Sequence, residues 1–187
     1  MNHQKIIMIA MAGLGLSACA VIDPMTDQTA SVDLNPCLQQ VMVHMEGTFD
    51  YTGTIARISG GYRTFVTRST HTAQPDGSWE YRSFGGDMEE PSASTVRLVG
   101  NQILTRPDEP DATEGQRTFT SCEGPNEVGR ITTRSNYELP ATPDFPQTLF
   151  VDILALYGEE GAYFTETITN EDGDVVAYRS GVSVATE

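Results

Sequence analysis

The chain has 187 residues, enough for one substantial core and too few for two comfortable domains. Eleven Lys and Arg stand against 26 Asp and Glu, a formal charge of −15, which excludes a nucleic-acid binder that tracks phosphates with clustered Lys and Arg. With 39% hydrophobic and 20% charged residues the composition is that of a globular protein, and no apolar run approaches the roughly 20 residues a spanning helix needs.

The first elements belong to targeting rather than to the fold. Lys5 and the amino terminus form a short basic region. Ile6 to Leu16 follow as an apolar stretch suited to a signal sequence and too short to cross a bilayer. The stretch ends in Leu16-Ser17-Ala18-Cys19. This resembles the lipobox of bacterial lipoproteins, with a Leu three residues before the cysteine and small residues between. The resemblance implies removal of residues 1–18, acylation of Cys19 and a membrane partner reached through that lipid anchor. Ala20 follows the cysteine in place of Asp. By resemblance to the sorting rule of Gram-negative lipoproteins, that implies the outer membrane, facing the periplasm. The mature chain would hold 187 − 18 = 169 residues and no lysine, every basic side chain being Arg.

Residues 19–34 lack periodicity and read as a lipidated cysteine followed by a tether, with residues 35–187 as one domain. Asn35 and Pro36 suit an N-cap and a first helical position. Leu38, Val41, Met42 and Met45 then fall on one face, and Gly47 offers a C-terminal stop, giving a helix over about 36–46. Everything afterwards reads as strands: about 48–58, 62–72, 78–84, 94–99, 102–106, 116–122, 128–138, 148–156, 162–170 and 174–184. Gly-containing turns separate runs of Thr, Val, Ile, Tyr and Phe at the spacing of sandwiches and barrels. Asp76-Gly77 and Asp172-Gly173 are good hairpin turns. With no second helix to make parallel crossovers, the expected fold is mainly β, an antiparallel up-and-down meander closed into a small barrel. A β-sandwich of the same strands is the alternative.

One helix leading into about ten meandering strands resembles the lipocalin-like and fatty-acid-binding-like barrels, the calycins. Met45-Glu46-Gly47-Thr48-Phe49 is similar to the Gly-x-Trp opening of that group, with Phe49 in place of the Trp. The resemblance implies a barrel that binds a small, partly apolar ligand.

Two cysteines follow Cys19, and an even pair in an oxidising compartment predicts a Cys37–Cys122 disulfide. His44 and His71 lack ligand-like spacing, and no Cys-x-x-Cys, nucleophile elbow, P-loop or dinucleotide fingerprint is present. The sequence therefore predicts neither a metal nor a cofactor, and no catalytic residue. Asn170 to Asp174 reads as a hairpin turn rather than a calcium loop.

Strand parity supplies the candidate ligand contacts, because alternate residues share a face. Arg57 is in phase with Phe49, Tyr51 and Ile55; Arg68 with Tyr62 and Val66; Arg117 with Phe119; Glu166 with Phe164 and Ile168. If the aromatic faces point inward, Arg57, Tyr62, Arg68, Arg117 and Glu166 line the interior, with an Arg68–Glu166 pair expected there. A register one residue out would instead put these charges in solvent. Three functions compete. The first is a ligand-binding barrel; the second is a structural module with a filled core that docks an envelope protein partner; the third is a barrel enzyme using Glu166.

Overall fold

The computed structural model describes residues 33–85, 91–109, 112–141 and 146–186; Cys19 and nearly all of the tether lie outside them. Helix α1 (Asn35–His44) precedes ten strands. These are β1 (Gly47–Arg57), β2 (Tyr62–Ala73), β3 (Trp79–Gly85), β4 (Ser92–Val99), β5 (Gln102–Pro107), β6 (Gly115–Glu123), β7 (Ile131–Leu139), β8 (Leu149–Gly158), β9 (Gly161–Thr169) and β10 (Val175–Ala185). Each strand pairs antiparallel with its sequence neighbours, and β1 pairs with β10, so the sheet closes into a barrel. Closure leaves no edge strand to template further pairing. The meander is the expected one; the sandwich is not formed.

Alternation is cleanest in β8. Val151, Ile153, Ala155 and Tyr157 are buried, whereas Phe150, Asp152 and Leu154 between them are exposed. The turns use the residues that positive φ requires: Gly77 at +83° and Gly173 at +84°. Asn170 Oδ1 accepts the backbone N–H groups of Asp172 and Asp174 at 3.1 and 2.8 Å, which makes that segment a self-bonded turn.

α1 lies against the barrel end where β1 begins. Leu38, Val41 and Met42 are at most 1% exposed and join the clusters built on Phe119 and on Ile131 and Val151. Burying each contributes about 1.5–3 kcal/mol. The helix start differs from the expectation. Leu34, with no capping side chain, is the N-cap, and Asn35 is already helical; Asp33 Oδ1 accepts the Asn35 N–H at 3.0 Å instead. The helix ends at His44 with Met45 as its cap, and Gly47, at φ +123°, opens β1.

Cys37 and Cys122 form the disulfide, joining the first turn of α1 to β6. A bulge makes this possible. The β6–β7 register shifts between Phe119 and Ser121, so Cys122 pairs with inward-facing Thr133 despite its even spacing from outward Thr120.

Across β2–β1–β10–β9 one interior row runs Phe65, Gly53, Gly181, Phe164. A Cβ on Gly53 would collide with the Phe65 ring, and one on Gly181 would meet the Phe164 ring at 2.6 Å. The two glycines therefore give the rings their seats. Tyr51 stacks on Phe65 and Phe164 at centroid distances of 5.6 and 5.0 Å, completing an aromatic stack inside the barrel.

Candidate ligand cavity

The barrel encloses a cavity of about 540 Å³. Its walls differ in chemistry because different strands turn different inward residues to it. α1, its cap Met45 and β1 contribute Met42, Met45 and Phe49; β8 and β9 contribute Ile153, Ala155 and Phe164. β2, β3 and β5 bring hydroxyls, from Thr67, Ser69, Ser83 and Thr105. Four further residues form a polar cluster: Arg117 on β6, Tyr137 on β7, Glu166 on β9 and Arg179 on β10.

Glu166 and Arg179 are direct neighbours across the β9–β10 ladder. Arg179 Nη2 donates to Glu166 Oε1 at 2.6 Å and to Tyr137 Oη at 3.3 Å, while Glu166 is only 5% exposed. The Arg179 guanidinium also lies 6.0 and 5.9 Å from the Phe65 and Phe164 ring centroids. Burial by itself would lower the Arg179 pKa, but the hydrogen bond and charge of Glu166 outweigh it and raise the value. Burial, reinforced by the Glu166 charge, raises the Tyr137 pKa, so this phenol remains a neutral hydroxyl. Tyr51 is raised further, chiefly by burial.

Arg117 has a different environment. Its Nε donates to the neutral Ser135 Oγ at 2.7 Å and its guanidinium lies 4.9 Å from the Phe119 centroid. Among the described residues no carboxylate pairs with it, and its Nη2 is sealed from solvent without an acceptor.

His71 lines the cavity beside Tyr81 and Phe49, at centroid distances of 4.7 and 6.2 Å. Desolvation brings its pKa down to about 4 from 6.5. Between those values the unfolded chain binds a proton that the folded one refuses, so stability falls as pH falls. Lowering the pH from 7 to 4.5 is expected to cost about 2 kcal/mol through this residue. Urea titrations at the two pH values measure it as the difference between wild type and His71→Phe, and an equal pH response in both would refute it.

Two of the five candidate residues, Arg117 and Glu166, face the cavity together. Arg57, in phase with Tyr51 and Ile55, stands exposed at the end of β1. Tyr62 and Arg68 are outside: Tyr62 is 79% exposed, and Arg68 grips Asp50 on the outer face through two bonds of 2.6 and 2.9 Å. That hydrogen bond holds the Asp50 carboxyl below its usual range. The expected Arg68–Glu166 pair is therefore corrected to Arg68–Asp50 and Arg179–Glu166. The cause is the phase of β2, which turns Phe65, Thr67, Ser69 and His71 inward and leaves Tyr62, Val66 and Arg68 outward. Sequence reasoning missed Arg179 and Tyr137. The available signal was Gly181, a small residue in mid-strand two positions from Arg179, which marks a face where something large must fit.

No family model matches the chain, and no curated protein matches it. Among solved structures, a protein of unknown function from the DUF3598 family of Nostoc punctiforme is similar to it at 11% identity and a TM-score of 0.41. The similarity covers 78% of this chain and 49% of that one, so the chain spans about half the length of that structure.

Proposed function

We propose that this protein is a lipid-anchored envelope barrel, lipocalin-like in role, that binds a small, partly apolar ligand in its interior. The observation that carries the binding half is the cavity of about 540 Å³, with aromatic and aliphatic walls and a few convergent polar groups. Ligand sites have this size and this mixture of linings. Native mass spectrometry of the full chain, purified from its own host, tests the reading. A reproducible bound mass is expected; the bare protein mass in every preparation would overturn it.

The anchor half rests on Leu16-Ser17-Ala18-Cys19 and, for an outer-membrane, periplasm-facing address, on Ala20. Several acyl chains on Cys19 hold a protein far more firmly than one, because each buried methylene adds about 0.8 kcal/mol. Cys19→Ser is expected to move the protein from the detergent phase to the aqueous phase on partitioning. Wild-type partitioning by the variant would remove the anchor.

A second reading, an interaction module for another envelope protein, is favoured by one outer row. Val66, Thr52, Val182, Tyr163 and Leu156 adjoin one another across β2–β1–β10–β9–β8. Val66, Val182 and Tyr163 are 60%, 43% and 51% exposed, an apolar strip of the kind that partners cover.

A further inference from the structure

We infer that the cavity selects a single-chain amphiphile with an anionic oxyanion head, carboxylate or phosphate, and that Arg117 is the head group's counter-charge. The inference rests on the ligand-binding reading above and adds the chemical class of the ligand.

Charge balance around the cavity carries it. Three ionised side chains of the polar cluster face the interior: Arg117, Glu166 and Arg179. Glu166 and Arg179 cancel through their 2.6 Å bond. Each retains one unsatisfied atom, Oε2 and Nε. These are an acceptor and a donor within the same pair, so the pair can close on itself without outside help. Arg117 has no such recourse. Its protein bond goes to a neutral hydroxyl, its ring contact is with Phe119, and its Nη2 lacks any acceptor. A guanidinium stays charged at every accessible pH, and a donor sealed from water without an acceptor is costly. The interior thus holds one unmatched positive charge in a chain whose formal charge is −15. A ligand oxyanion is the partner that matches it. Tyr137, opposite Arg117 in the ladder and kept neutral, is placed to donate its hydroxyl to the same head.

Volume sets the rest of the molecule. At about 30 Å³ per water-sized group, 540 Å³ corresponds to about 18 such groups. That suits one chain of about a dozen carbons.

The test uses the full wild-type chain and four ligands with one tail: dodecanoate, dodecyl phosphate, dodecanol and dodecyltrimethylammonium, each titrated calorimetrically below its micelle concentration. At least one of the two anions is expected to bind tenfold or more tightly than dodecanol, with the cation weakest. The ratio between the anions tells a carboxylate source from a phosphate source. Dodecanol binding as tightly as both anions overturns the head-group inference and leaves the ligand-binding reading standing. Failure of all four to bind removes the inference and counts against that reading as well. Arg117→Gln is expected to abolish the preference for the anions over dodecanol. A full preference in Arg117→Gln would move the seat to another residue and refute the role of Arg117. Should that variant not fold, the wild-type series still decides, because it needs no substitution.

Discussion

Arg179→Met is expected to destabilise the barrel by about 3–5 kcal/mol, the loss typical when one partner of a buried ion pair is removed. Methionine fills much of the space against Phe65 and Phe164, so the loss isolates charge rather than volume. What remains is Glu166, 5% exposed, whose hydrogen bond came from Arg179. A carboxylate stranded there is a buried charge without a partner. Glu166→Leu added to Arg179→Met should recover most of the stability, because no buried charge is left unpaired. Urea midpoints of the single and double variants provide the measurement. A loss under about 1 kcal/mol in the single variant would mean that water solvates the pair and that the polar cluster is not a dry one.

The second large effect is at α1. Replacing Cys37 and Cys122 together by Ser is expected to cost about 4 kcal/mol, since the bond closes a span of 85 residues in the unfolded chain. The damage should concentrate in α1. A helix of ten residues is below the length that is stable alone in water, and Leu34 gives it no capping side chain. The disulfide fixes its first turn, the chain at Gly47 fixes its last, and Leu38, Val41 and Met42 do the rest. Hydrogen exchange should therefore accelerate first at the α1 amides, before β7 to β9 lose protection. Because Met42, His44 and Met45 line the cavity, ligand affinity should fall with them. An unchanged urea midpoint, or alkylation of both cysteines without reductant, would contradict this account.

Taken by itself, the sequence determined the elements and their order. Glycine turns and Thr-, Val- and Tyr-rich runs give ten strands, and the lack of a second helix gives an antiparallel meander rather than crossovers. The Cys37–Cys122 pair and the aromatic phase that Arg117 and Glu166 share with Phe119 and Phe164 were legible too. The lipobox expectation at Cys19 lies outside the described residues.

Only the tertiary structure decided which face of each strand is inside. Period-two alternation separates two faces without saying which is inward. An interior that keeps a cavity admits Ser69, Ser83 and Arg179, while Tyr62, Val66, Tyr178 and Val182 remain exposed. In β2 and β10 the more apolar face is therefore the outer one, and a reading by hydrophobicity inverts Arg68 and overlooks Arg179. The bulge after Phe119 adds a change of phase within one strand, and it alone turns Cys122 toward Cys37. Inward and outward are fixed by the ladder with neighbouring strands and by closure of β1 on β10. Both are contacts between residues far apart in the chain, so no local pattern can carry them.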